Sequence, residues 1–221
     1  MLENSIYSLT TWIIPLLLCM IIHEVSHGIA ALKLGDKTAL YSGRLTLNPI
    51  PHIDIYGSIL IPVFLLATGS PFLFGWAKPV PVSVSNLNHP KRDMGLVAAA
   101  GPLSNLILAI LFVIVGRFGI ALIPETNRLF PWFISNIYHG VTLSLIIGIF
   151  NLLPILPLDG GRILLSILPL KYAVRYQETE KYGFFILLGV LFILPMLGIN
   201  ITGWFVGTLY PFFLSIVKLF M

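Results

Sequence analysis

The chain has 221 residues, 57% of them hydrophobic and 10% charged, where soluble domains carry about a quarter charged residues. It reads as an integral membrane protein with no room for a separate soluble domain of ordinary size, so no appended binding module is expected. The net charge of +4 comes from 13 Lys and Arg scattered between apolar segments, which argues against nucleic acid as a partner and makes these residues topology signals.

The first apolar run covers 9–32. It has no basic n-region and no small-residue cleavage site, so it is expected to stay in place as a helix. Cys19, the only cysteine, excludes an internal disulfide and a cysteine-based metal site. His23-Glu24-Val25-Ser26-His27 interrupts the run. Three ionisable groups inside a spanning segment are costly, and a lipid-facing helix has no reason to carry them as mere satisfied core histidines. Four residues apart on a helix, His23 and His27 share one face, the spacing at which two imidazoles hold one Zn²⁺ while Glu24 reaches a water beside it.

Residues 55–68 are apolar but short, with Pro62 inside, which suits a re-entrant segment. Spanning character returns at about 95–117, 134–156, 183–198 and 201–220. If 55–68 dips in and returns, all basic residues except Arg117 and Arg128 share one side. If it crosses, the split is five against eight with the larger share outside. The positive-inside rule selects the first arrangement: an all-α polytopic protein with five full spans, one re-entrant segment, the N-terminus outside and the C-terminus in the cytoplasm. His23 then lies ten residues before Lys33, about 15 Å below the cytoplasmic surface. The short stretches 44–47 and 80–84, which alternate or contain β-branched residues, are expected to form short β-strands beside the re-entrant segment. The small residues 98–101, with Ser104 and Asn105, should let the second span pack closely on the first, against Gly28, Ala30 and Ala31.

Two histidines leave zinc short of a third protein ligand. The best candidate is Asp159, in the run Asn151-Leu152-Leu153-Pro154-Ile155-Leu156-Pro157-Leu158-Asp159-Gly160-Gly161. Its prolines and glycines break the third full span and free backbone groups that need a hydrated, protein-lined cavity. Three full crossings bring Asp159 to the side of His23 only if 55–68 does not cross. The simpler alternative is that Asp159 caps the short stretch 163–168.

Together, the His-Glu-x-x-His helix, Gly101-Pro102-Leu103-Ser104-Asn105 and Asn-x-x-Pro…Leu-Asp-Gly-Gly resemble the site-2 protease family of intramembrane zinc metalloproteases over about 12–168. Gly43-Arg44-Leu45-Thr46-Leu47-Asn48-Pro49 and Gly75-Trp76-Ala77-Lys78-Pro79-Val80-Pro81-Val82 resemble its compact branch, which carries no PDZ domain. Many members have a further helix before the motif helix, whereas this chain opens almost at the motif. The resemblance implies one Zn²⁺ per chain held by His23, His27 and Asp159, with Glu24 as general base.

In that reading Asn151 donates to the oxyanion or the substrate backbone, or else makes an interhelical hydrogen bond. Asn105 helps packing and stands near the metal. A transmembrane protein substrate must unwind locally, and 44–47 or 80–84 would pair with its extended form by strand addition. His52 and Asp54 read as interfacial loop residues ahead of a lid or second metal contact, and His139 is too far from the cytoplasmic end to join the zinc. The whole chain is expected to be one membrane protease domain of the cell membrane, with its catalytic core at 9–168 and a C-terminal helical pair at 183–220. The competing functions are a metal-binding channel or transporter and an inactive protease-like scaffold. An ion path would show internal repeats and more than one polar cluster, and a scaffold need not keep all four site residues.

Overall fold

The computed structural model describes residues 2–69 and 75–220. Its long helices are α1 (Leu2–Lys33), α3 (Pro90–Leu122), α4 (Phe130–Asn151), α6 (Leu170–Met196) and α7 (Ile201–Lys218). These are the five described helices long and apolar enough to cross a membrane. Between them lie the short helices α2 (Ile55–Ala67) and α5 (Asp159–Ile167), along with single helical turns at Thr38–Tyr41, Ile50–His52 and Val84–Asn86. The protein is an all-α polytopic membrane protein.

Helix α2 starts as a π-helical turn and continues as an α-helix from Ile61. Its 13 residues, counted from Ile55 to Ala67, reach about 20 Å, short of the ~30 Å apolar thickness of a bilayer. Asp54 caps it, accepting the Gly57 N–H at 2.7 Å. Its failure to cross follows independently from the contact between Asp159, just after α4, and His23, near the C-terminal end of α1. A fourth crossing would put those groups on opposite faces.

Helix α3 lies at the centre and packs on α1, α4 and α5. Glycines permit the close approach: a Cβ at Gly140 of α4 would fall 2.5 Å from the Phe112 ring of α3, and one at Gly116 of α3 would fall 2.8 Å from Ile137. In a bilayer, where lipid is as apolar as leucine, such contact supplies the association energy. Ala109, Val113, Val141, Leu145, Ile149 and Val217 form the main apolar core between α3, α4 and α7. Buried polar groups tie the same helices together. Cys19 Sγ lies 3.0 Å from Ser144 Oγ. The Asn105 amide, turned so that its nitrogen donates to the Cys19 carbonyl (3.2 Å) and its oxygen accepts the Gly148 N–H (3.3 Å), links α3 to both α1 and α4.

The expected β-strands do not form: the described residues contain no strand. Residues 44–47 bend, and His52 Nε2 meets the Thr46 carbonyl at 2.9 Å. Residues 75–83 run as a strap without regular structure. Pro79 and Pro81 have no N–H to offer a ladder, and they hold the residues before them extended.

Candidate metal centre

The motif helix delivers His23 and His27 to one face, with ring centroids 4.7 Å apart and planes at 88°. Asp159 reaches them from α5: its Oδ2 lies 3.0 Å from His23 Nε2 and its Oδ1 lies 3.4 Å from His27 Nε2. Asp159 owes its place to the broken end of α4. A Cβ on Gly160 would fall 2.1 Å from the Leu152 carbonyl oxygen, and one on Gly161 would fall 2.6 Å from the Leu156 nitrogen. Only glycine allows the backbone to fold so tightly on itself. Asp159 occupies the first turn of α5, where the helix dipole favours a carboxylate.

The donor set fits a zinc ion. One ligand atom from each of His23, His27 and Asp159 lies within 4.8 Å of the others, and tetrahedral zinc with bonds of about 2 Å places its ligands about 3.3 Å apart. His27 Nδ1 faces the Val97 carbonyl of α3 at 2.8 Å. A carbonyl can only accept, so Nδ1 carries the proton and Nε2 keeps its lone pair for a metal. Asp159 Oδ2 is buried and, although near His23 Nε2, makes no aligned hydrogen bond. That is the arrangement of two atoms sharing a cation rather than a proton.

Helix α3 also sets the depth of the site. A Cβ at Gly101 would stand 2.5 Å from His27 Cε1 and 2.6 Å from His23 Cε1, so the glycine lets the α3 backbone form the wall behind both rings. A cavity of about 740 Å³ opens in front, lined by His23, Glu24, His27, Asp159 and Asn151, by Trp76 and Val80 of the strap, and by Phe184 of α6. This size falls within the range of about 300–1,000 Å³ usual for ligand-binding clefts. The Val80 N–H donates to Glu24 Oε2 at 2.8 Å. Arg162, also in the cavity, donates to Glu180 Oε1 at 3.0 Å and ties α5 to α6.

Other residues singled out from sequence go elsewhere. Asn151 lines the cavity, but its Nδ2 donates to Ile147 O of its own helix at 3.0 Å. Asn105 makes the packing bridge described above. His52 is buried in the loop before α2, and His139 pairs with the Thr11 carbonyl at 2.8 Å and stacks on Trp12. Two partners of the motif were not visible in the pattern: the Val97 carbonyl and the Val80 amide. A carbonyl or an amide is present at every position, so residue type carries no signal for it.

YwhC of Bacillus subtilis is 40% identical over 188 residues, covering 83% of this chain and 80% of its own length. Rip2 of Mycobacterium tuberculosis is 32% identical over 206 residues, covering 91% of this chain and 71% of its own. Both carry zinc-metalloprotease names, and the profile of Peptidase family M50 matches residues 118–194. The chain belongs to this zinc-metalloprotease family. Zinc metalloprotease MJ0392 of Methanocaldococcus jannaschii is a more distant relative, 27% identical over 180 residues, covering 81% of this chain and 40% of its own. No solved structure matches. Family M50 membership, five spans and a buried His-His-Asp group identify this chain as an intramembrane zinc metalloprotease of the site-2 type.

Proposed function

We propose that His23, His27 and Asp159 hold the catalytic zinc, that Glu24 is the general base, and that the substrate is a transmembrane segment of another protein. The observation that carries this reading is the meeting of Asp159 with both motif imidazoles across 136 residues of chain, counted from His23 to Asp159. Glu24, next to His23, faces the same cavity.

Bound zinc supplies Lewis-acid polarisation of the peptide carbonyl and acidifies a water molecule. Glu24 would accept a proton from the attacking water and return it to the leaving amine, with its carboxylate held by the Val80 N–H. The Val97 carbonyl keeps His27 in the ligating tautomer. Asn151, on the wall, is placed to donate to the substrate backbone once its side chain leaves Ile147.

A peptide bond within a helix is shielded by its own hydrogen bonds, so the substrate reaches the site unwound. The strap supports an extended partner: among the described residues, the Val82 amide has no hydrogen bond, and Val82 lines the cavity. The distribution of basic residues supports an N-terminus outside, a C-terminus in the cytoplasm and a site near the cytoplasmic face of the cell membrane. We assign residues 9–168 as catalytic core and the C-terminal pair of spans to the same domain.

Metal analysis joined to cleavage of a test transmembrane substrate checks the assignment. About one zinc per chain is expected, lost in His23→Ala, His27→Ala and Asp159→Ala but kept by an inert Glu24→Gln. Full proteolysis by Glu24→Gln would remove it from the base role, and metal transport without proteolysis would favour a carrier.

A further inference from the structure

Arg44 is 7% exposed, yet among the described residues no carboxylate pairs with it. Its Nη2 donates instead to two strap carbonyls, Lys78 O at 2.7 Å and Pro79 O at 3.3 Å, while its Nε is buried without an acceptor. A buried guanidinium with neutral acceptors and an orphaned donor is a costly way to fill space, and an apolar side chain would pack more cheaply. What arginine adds is one terminal nitrogen, Nη2, whose two N–H groups reach the two carbonyls together.

Those carbonyls immediately precede Val80. Between Pro79 and Pro81, Val80 has the only N–H of the three residues, and that N–H is spent on Glu24. The strap has no strand ladder to steady it. Helix α1 makes room one turn beyond Glu24: a Cβ on Gly28 would stand 3.0 Å from Val80 Cγ1 and 2.5 Å from Leu45 Cδ2, the residue after Arg44. Arg44, the strap and Glu24 therefore form one packed chain of contacts, with the strap between the guanidinium and the carboxylate.

We propose that Arg44 is a positioning residue for proteolysis: by gripping the Lys78 and Pro79 carbonyls it aims the Val80 N–H at Glu24 and fixes that carboxylate for proton transfer. The inference rests on Glu24 as the general base. Arg44 is not among the residues that line the cavity; its effect passes through one backbone hydrogen bond.

The test uses the full-length, zinc-loaded protein in detergent and a transmembrane test substrate, comparing Arg44→Gln, Arg44→Lys, Val80→Pro and the Arg44→Gln/Val80→Pro double variant. Loss of a hydrogen bond to a charged group predicts a kcat about 10- to 100-fold lower for Arg44→Gln and for Val80→Pro, with KM nearly unchanged. The double variant should fall no further than the weaker single one, because both act on the same bond. Arg44→Lys, which can still donate to a carbonyl, should recover part of the loss. In the metal-free protein, the hydrogen-bonded strap amides of Lys78 and Val80 should exchange faster in Arg44→Gln than in wild type. Multiplicative losses, a change in KM alone, or unaltered kcat in a zinc-holding Arg44→Gln would overturn the proposal. Should Arg44→Gln fail to accumulate, Val80→Pro decides, and wild-type kcat in that variant overturns it. Glu24→Gln separates the two levels: activity there removes the base assignment itself, whereas an inert Glu24→Gln beside a fully active Arg44→Gln rejects only the role of Arg44.

Discussion

The helices α1, α3 and α4 and the C-terminal pair α6 and α7 are all apolar enough to cross a membrane, but they are held in place by different means. The first three bury His23, Asn105, Ser144 and Asp159 between them and meet through glycines that bring backbone against side chain. The last two present Phe185, Ile193, Met196, Trp204 and Phe212 outward, where lipid is their solvent. Helix α6 also changes winding, from α to π and back, between Gly183 and Met196. The C-terminal pair still joins the rest at a few points: Phe184 lines the cavity and Val217 lies in the main core.

The largest effect that sharpens this contrast is loss of a metal ligand. His23→Ala or Asp159→Ala should reduce bound zinc from about one per chain to near zero and bring cleavage to background, checked by metal analysis of the purified protein. Next comes Glu24→Gln, with kcat lower by about 10²- to 10⁴-fold and zinc content unchanged. Gly101→Ala ranks third, since its new methyl would press on both imidazoles. Zinc affinity should drop about 10- to 100-fold, measured by competition with a chelator, although no ligand has been removed.

A smaller effect concerns the far end of the strap. Asp36 is fully buried and accepts hydrogen bonds from the Ser83 N–H at 2.7 Å, from the Thr38 amide and hydroxyl, and from Asn86. Burial pushes its carboxyl upward, but these bonds, led by the Thr38 hydroxyl, outweigh it and hold the group below the usual carboxylate range. A depressed folded-state value stabilises the fold above the unfolded value of about 3.9, and the contribution is lost as pH falls through the lower folded-state value. Amide exchange at Ser83 should therefore accelerate only in strong acid in wild type, and Asp36→Asn should remove that acid-dependent step. The smallest effect breaks the comparison if it fails: Trp204→Leu, on the lipid face of α7, should change thermal stability by no more than about 0.5 kcal/mol and leave cleavage unchanged. A large loss of activity there would give α7 a part in the catalytic geometry.

Much of the site was legible because its signals are of residue type and spacing. His23 and His27 sit one helical turn apart, and Asp159 stands in a Pro- and Gly-broken stretch where a carboxylate in apolar surroundings needs a reason. The five spans and the short α2 follow from segment length and from the count of basic residues. The expected strands failed at 44–47 and 80–84 because Pro79 and Pro81 deny the ladder its donors, and because the Val80 amide is taken by Glu24 and the Thr46 carbonyl by His52. Asn105 and Asn151 looked alike as polar residues near the motifs, but only the packed helices distinguish a bridge between α1 and α4 from a side chain on the cavity wall.

By itself the sequence determined a bilayer-spanning helical chain with a zinc-protease helix and a carboxylate to complete its metal site, because hydrophobic length, charge placement and ligand spacing are properties of residues in order. Tertiary structure alone decided which backbone groups serve that site: the Val97 carbonyl behind His27 and the Val80 amide on Glu24. Every residue carries a peptide group, so only the folding of distant segments against one another selects the few that matter.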